Sequence, residues 1–140
     1  LFCYYFLMSQ KVLKPWGFEI LVTAASLPYG GKISFTRAGK RWSLQYHDQK
    51  IETLVLLSGQ ANLSLGPDQN SLVTLPMEPS QEYTIKPSTI HRFQAVTDCV
   101  TVEFSTPETG TTFRPEDDYS RPDESDTTRL LPDRGWQPVK

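Results

Sequence analysis

Short extended runs separated by turn-forming residues are the feature that most restricts what this chain can fold into. Nine such runs lie at 18–23, 32–37, 43–47, 52–58, 60–65, 71–76, 82–86, 91–96 and 99–105. Their lengths and nearly even spacing, without a 3.6-residue hydrophobic period, favour an antiparallel sandwich or barrel. The sequence therefore predicts an all-β fold, a single small barrel of the jelly-roll type.

Length and charge exclude several classes of protein. The 140 residues suit one domain. A net charge of −2 and a pI near 5.7 provide no basic surface for nucleic acid or an anionic membrane. Cys3 and Cys99 are too far apart in sequence for a zinc ligand pair. We expect reduced thiols and a cytoplasmic protein.

The two ends of the chain differ from its middle. Residues 1–7 are apolar but too short for a membrane span, and Met8 resembles a natural amino terminus, so we expect 1–7 to be an extension or a translation-start artefact. Five of the 11 prolines lie beyond residue 106, among acidic clusters. We expect an extension over 1–10, a β-barrel over 11–106 and a Pro/acid-rich irregular tail over 107–140 that packs on or near the barrel. Within this tail we expect a helical turn near 115–119 and a docking contact made by Trp136.

One stretch carries most of the functional signal. Gln45 and His47 lie two apart in an extended run, so their side chains point to one face. Glu52 opens the next run after a polar break, and a turn there would bring its carboxylate beside them. An amide oxygen, an imidazole nitrogen and a carboxylate suit a divalent cation of intermediate softness.

The intervals around these residues resemble the first signature of the cupin superfamily. Gly39 is followed by five residues, Gln45-Tyr46-His47, four residues, Glu52, six residues and Gly59. Only the first His of the signature is replaced, by Gln45. The sequence of this segment is similar to that of the cupin domain of type II phosphomannose isomerases (mannose-6-phosphate isomerase-like), in which a Gln-x-His ligand pair is known.

Three further segments extend this resemblance over about residues 12–121. They are Lys14-Pro15-Trp16-Gly17, Pro87-Ser88-Thr89-Ile90-His91-Arg92, and Glu103 with the segment from Arg114 to Arg121. The second is similar to part of the other cupin signature, and the third to the closing strand and tail of the family, with Ser120 in place of Gly.

The resemblance implies a site around one divalent metal ion. Its ligands would be Gln45, His47, Glu52 and His91. Zinc is the expected ion, and manganese, iron, nickel and cobalt stay open. Since ligating imidazoles must be neutral, we expect metal affinity to fall below about pH 6.5.

Other residues are candidates for catalysis and substrate binding. The expected catalytic residues are Glu103 as a proton carrier, Lys50, and Arg121, and the expected substrate contacts are Arg92, Arg114 and Tyr119. Arginine suits bidentate binding of phosphate. Arg114 or Arg121 could equally pair with Asp117 or Asp118 nearby in the chain.

These features favour an enzyme, a metal-dependent isomerase of sugars or sugar phosphates. A metal-dependent cupin oxygenase and a non-catalytic sugar- or nucleotide-binding cupin stay open as alternatives. The expected partner is a small sugar or sugar phosphate, not nucleic acid or a membrane. Apolar residues on the second faces of the strands predict a homodimer.

Overall fold

The computed structural model describes residues 9–138, which form eleven strands in two antiparallel sheets. The strands are β1 (Gln10–Lys14), β2 (Gly17–Leu21), β3 (Gly30–Thr36), β4 (Leu44–His47), β5 (Glu52–Ser58), β6 (Ala61–Gly66), β7 (Val73–Pro76), β8 (Glu82–Ile85), β9 (Ile90–Ala95), β10 (Cys99–Ser105) and β11 (Thr112–Glu116). One sheet has the order β1-β2-β3-β10-β5-β8 and the other β11-β4-β9-β6-β7. Two short 3-10 helices follow, at Thr128–Leu130 and Pro132–Gly135.

Strand β5 illustrates how alternate side chains point inside the barrel. On β5, Glu52, Leu54 and Leu56 are at most 1% exposed, whereas Leu57 is 54% exposed. This two-residue period is the pattern expected of a strand with one buried face.

The apolar core occupies part of the barrel interior. Trp42 lies at its centre, 5.3 Å from Trp16 and 4.8 Å from Phe93 between ring centroids. Trp16 is held in the turn between β1 and β2 and is 3% exposed, so its indole belongs to the packed core. The rest of the interior is polar and contains buried histidine, lysine and glutamate side chains. The candidate site lies in this polar part.

The nine predicted strands are all present, and the structure adds two that were not predicted. β1 starts at Gln10, inside the expected N-terminal extension, and pairs along its whole length with β2. β11 lies in the expected tail and pairs with β4. The predicted helical turn near 115–119 is wrong, because Pro115 and Glu116 continue β11. The expectations for residues 1–7, Met8 and Cys3 fall outside the described residues.

Long-range contacts hold the C-terminal segment against the barrel. Thr112 and Glu124 exchange two backbone hydrogen bonds of 2.9 Å. The Leu13 N–H donates to Asp133 Oδ1 at 2.8 Å, across 120 residues of sequence. Arg129 donates to the Gly110 carbonyl at 2.8 Å. Among residues 9–138, none of the helices has the length and hydropathy needed to cross a membrane.

Candidate metal centre

Three buried side chains from three strands meet inside the barrel. His47 ends β4, Glu52 begins β5 and His91 lies near the start of β9. Their exposed fractions are 5%, 1% and 0%, and one potential ligand atom from each lies within 4.8 Å of the other two. The turn after β4 is what brings Glu52 beside His47.

Glu52 lies between the two histidines. Its Oε1 is 3.0 Å from His91 Nε2, and its Oε2 is 3.4 Å from His47 Nε2. His91 Nδ1 lies 3.0 Å from the Thr89 carbonyl oxygen. Since a carbonyl only accepts, Nδ1 carries a proton, and Nε2 faces the Glu52 carboxylate. A metal ion between Nε2 and the carboxylate, or a second proton on the imidazole, would make this contact favourable.

The same centre contains polar atoms that lack a hydrogen-bond partner. Glu52 Oε1 and His47 Nε2 are both buried and unsatisfied. A buried polar group without a partner costs about 1–3 kcal/mol. Coordination of a divalent ion by two imidazole nitrogens and a carboxylate would satisfy both atoms, and this donor set suits zinc and its first-row neighbours. The residues present therefore fit a divalent metal.

Gln45 lies beside the cluster with its amide in a defined orientation. Its Oε1 accepts from Ser43 Oγ at 2.8 Å, and its Nε2 lies 3.3 Å from His91 Nε2. Thus the amide nitrogen, and not the oxygen, faces the histidine. Ligation by Gln45 would require the amide to rotate by half a turn, which exchanges its oxygen and nitrogen.

Burial controls the ionisation of His47. Removal from water lowers its pKa to about 4, with a smaller contribution from the Lys50 ammonium, and Glu52 only partly opposes this. Burial alone would raise the pKa of Glu52, but Lys50 and both histidines hold it well below its ordinary value. At neutral pH the centre therefore presents a neutral His47 and a charged carboxylate, the forms that bind a metal ion.

Lys50 joins the centre to a second group of charges. Its Nζ is 2.6 Å from Glu52 Oε2 and 3.0 Å from Glu103 Oε1. Burial would lower the pKa of Lys50, but Glu103, Glu52 and Glu108 raise it above its ordinary value. For Glu103, burial and the nearby carboxylates raise the pKa despite Lys32 and Lys50. Two residues predicted to be catalytic thus lie in contact with each other next to the candidate ligands.

The predicted arginine and tyrosine contacts are divided between two locations. Arg114 and Arg121 line the cavity beside the metal centre, whereas Arg92 and Tyr119 do not. Arg92 follows His91 on β9, faces the opposite way, and donates to Glu116 Oε1 at 3.1 Å. Tyr119 packs against the core. This geometry does not favour the substrate roles predicted for Arg92 and Tyr119.

Both cavity arginines have carboxylate partners in the C-terminal segment. Arg121 donates to Asp117 Oδ1 at 2.7 Å, the local pairing that the sequence left open. Arg114 instead pairs with Glu124 at 3.0 Å. The cavity that they line at the metal centre is small, about 40 Å³.

Several charged residues of this cavity were not predicted from the sequence. They are Lys14, Glu19, Lys32, Glu108, Glu124 and Arg134. Lys32 could have been noticed, because it shares the inward face of β3 with Ser34 and Thr36. The tail residues Glu108, Glu124 and Arg134 had no comparable local signal.

Solved structures with the same chain path identify the fold. The capsular polysaccharide assembling protein CapF from Staphylococcus aureus matches 87% of this chain with a TM-score of 0.65 and 12% identity. An oxalate decarboxylase from Lactobacillus farciminis matches 76% with a TM-score of 0.64 and 19% identity. KdgF from Halomonas sp. matches 69% with a TM-score of 0.58 and 13% identity. The fold is the cupin fold.

The extent of these likenesses limits what they establish. The chain spans about a third of the length of CapF and the oxalate decarboxylase (32% and 34%), and it covers 84% of KdgF. At such identities the likeness concerns the fold alone. No protein-family model and no curated protein sequence match the chain. The predicted cupin barrel is confirmed, while the likeness to type II phosphomannose isomerases stays a prediction.

The cupin fold and the His47–Glu52–His91 cluster together support a metal-binding cupin. The ligands belong to the inward faces of strands that the fold brings together, and the buried unsatisfied atoms point into the cluster.

Proposed function

We propose that this cupin is a metal-dependent enzyme that interconverts an aldose and a ketose, acting on a sugar or sugar phosphate. The observation that carries the proposal is the contact of Lys50 with both Glu52 and Glu103. It couples a candidate metal ligand to a buried carboxylate that is able to exchange a proton. A metal-dependent isomerisation of this kind uses both components.

The residues of the metal centre would each have a separate role in this isomerisation. Aldose–ketose isomerisation moves a proton between adjacent carbons and places negative charge on their oxygens. A divalent ion held by His47, Glu52 and His91 would stabilise that charge as a Lewis acid. Glu103 would accept the proton from one carbon and return it to the next, which its raised pKa assists. Lys50 would position Glu103, and Arg121 would contribute positive charge for a phosphate.

Two further considerations support this choice. Two imidazoles and one carboxylate leave positions on the ion for substrate, as in catalytic sites, and zinc is the ion we propose. One solved structure of the same fold is named for capsular polysaccharide assembly, which is carbohydrate chemistry. The expected partner is accordingly a small sugar or sugar phosphate.

The proposal is tested first by metal content and then by turnover. For protein purified without chelator or affinity metal, elemental mass spectrometry should find near one equivalent of metal in the wild type and little in His47→Ala. Hexose phosphates should be isomerised by the wild type, and Glu103→Gln should retain the metal but lose about 100-fold or more in rate. A fully active His47→Ala protein would end the proposal.

A second candidate, a non-catalytic binding cupin, is favoured by the covered position of the centre. The three candidate ligands are at most 5% exposed, and the adjoining cavity is only about 40 Å³. Such a protein would show a rise in melting temperature with a sugar ligand but no turnover. Isomerisation of any hexose phosphate at the rate of an enzyme would eliminate this candidate.

A further inference from the structure

A second, larger cavity of about 160 Å³ lies under the C-terminal segment. One water needs only about 10–15 Å³, so this space is large enough for a small molecule. The residues that line it are Lys14, Arg114, Arg121, Pro122, Glu124, Thr128, Leu131, Asp133, Arg134, Gly135 and Trp136. We call it the outer cavity.

Cationic side chains outnumber acidic ones in the lining of the outer cavity. Four of its lining residues are cationic and two are acidic. Asp133 already accepts the Leu13 N–H, and Glu124 is shared by Arg114, Arg129 and Arg134. Carboxylates outside the lining also pair with these cations: Lys14 with Glu19 at 3.4 Å, Arg121 with Asp117 at 2.7 Å, and Arg134 with Glu108. The cavity thus offers guanidinium groups to an anion, which would share them with these carboxylates.

Arg114 contributes an unused hydrogen-bond donor. Its side chain is 8% exposed, and it donates to Glu124 Oε2 at 3.0 Å and to the Pro122 carbonyl at 2.5 Å. Its Nε is buried without a hydrogen-bond partner. Guanidinium groups bind phosphate oxygens through two adjacent N–H donors, so an oxyanion in the cavity would satisfy this donor.

The backbone near Arg134 is held in an unusual conformation. Asp133 and Arg134 have φ values of 46° and 52°, in the left-handed region that non-glycine residues rarely occupy. Each such residue costs on the order of 1 kcal/mol or more and persists only where its surroundings require it. Here the turn directs the Arg134 guanidinium back to Glu108 and Glu124. The strained turn thus places the Arg134 guanidinium, another cation, at the cavity.

The opposite part of the lining is apolar. Leu131 and the half-buried indole of Trp136 line the same cavity. An indole face carries partial negative charge and attracts the C–H groups of a ring packed against it. The cavity thus combines an anion site with a surface for a non-aromatic ring.

We propose that the outer cavity binds a sugar phosphate, with the phosphate on Arg114 and Arg134 and the sugar ring against Trp136. It shares five lining residues with the cavity of the metal centre: Lys14, Arg114, Arg121, Glu124 and Arg134. This inference rests on the proposed function in one respect, that the ligand belongs to the substrate class of the metal centre. Binding itself is independent of turnover.

Calorimetric titration of the full chain with inorganic phosphate, in the presence of a chelator, tests the anion site. The wild type should bind phosphate saturably, and Arg114→Gln should bind at least about tenfold more weakly because a charged hydrogen bond is lost. The matched control is Arg129→Gln. Arg129 belongs to the same segment and also pairs with Glu124, at 3.2 Å, but it lines neither cavity. It should bind phosphate as the wild type does.

The ring site is tested with glucose 6-phosphate and glucose. Glucose 6-phosphate should bind more tightly than inorganic phosphate, and Trp136→Ala should abolish this advantage while leaving phosphate binding unchanged. Glucose alone should not bind measurably. This variant alters a half-buried side chain near the chain end, so it also serves if Arg114→Gln does not fold.

The proposal is overturned if phosphate does not bind, or if Arg129→Gln weakens binding as much as Arg114→Gln. The second result would mean that the arginines act only by anchoring the segment. Because chelator is present throughout, these outcomes do not depend on the metal or on isomerase activity. Phosphate binding without turnover would support the anion site in the outer cavity and contradict the proposed isomerase activity.

Discussion

The His47 imidazole shows how burial changes the behaviour of a single residue. The sequence alone predicted loss of metal below about pH 6.5, the pKa of an ordinary histidine. Burial lowers the pKa of His47 to about 4. Protons therefore compete for this ligand only in more acidic solution, and we expect the fall in metal affinity that is due to His47 to move toward pH 4.

The same shift makes the stability of the metal-free protein depend on pH. Between pH 6.5 and 4 the unfolded chain binds a proton at His47 that the folded protein does not, so the contribution of His47 is complete above pH 6.5 and declines as the pH falls toward 4. The expected loss is about 3 kcal/mol. Urea denaturation with chelator, at several pH values, measures it. His47→Gln should lack this part of the dependence, and identical pH profiles for the two proteins would contradict it.

At the scale of the element, the two glycines that lie before and after residues 45–52 have different roles. Gly39 and Gly59 have φ values of 74° and 93°. A Cβ at Gly39 would meet nothing within 4 Å, whereas one at Gly59 would lie 2.2 Å from the Asp98 carbonyl oxygen. Gly59 thus lets the turn between β5 and β6 approach the start of β10.

We therefore expect unequal effects when alanine replaces the two glycines. Gly39→Ala should lower the free energy of unfolding by about 1 kcal/mol, the cost of a left-handed alanine. Gly59→Ala has the same cost and a backbone clash in addition, so the loss should be roughly 3 kcal/mol or more. Urea denaturation of both variants gives the comparison. Equal losses would show that the close approach to Asp98 is not what requires glycine.

At the scale of the whole molecule, the outer face of the six-stranded sheet exposes apolar side chains. Ile33, Leu57 and Phe104 are 38%, 54% and 58% exposed, on neighbouring strands of that sheet. Phe18 and Phe35 stack on it with centroids 5.3 Å apart. A contiguous apolar face of this kind is typical of an interface between protein chains.

The homodimer predicted from the sequence would bury this face, and it stays a prediction. We expect sedimentation equilibrium to find a dimer for the wild type and a monomer for Phe104→Lys, since an unpaired ammonium would be buried in the interface. Val73→Lys is the matched control, because Val73 is 65% exposed on β7 of the other sheet. A monomeric wild type, or equal dissociation in both variants, would exclude this interface.

Much of the barrel and the central part of the site could be predicted from the sequence, because both depend on local patterns. Strand positions follow from alternation between turn residues, which acts over a few neighbouring residues. The approach of His47 and Glu52 follows from two strands joined by one short turn. β1 and β11 were missed because their short, charged sequences carry little periodicity, and pairing with β2 and β4 stabilises them as strands.

What the sequence by itself determined is therefore the cupin barrel and the side chains that converge inside it. Only the tertiary structure decided the surroundings: Lys50 against Glu103, Arg114 against Glu124, and Asp133 against Leu13. These pairs join residues whose meeting depends on which strands lie opposite each other and on where the C-terminal segment crosses the barrel. Charged side chains in a local sequence predict exposure to solvent. Here the fold buries Lys50 with Glu103 and Arg114 with Glu124, because each of these side chains finds an opposite charge.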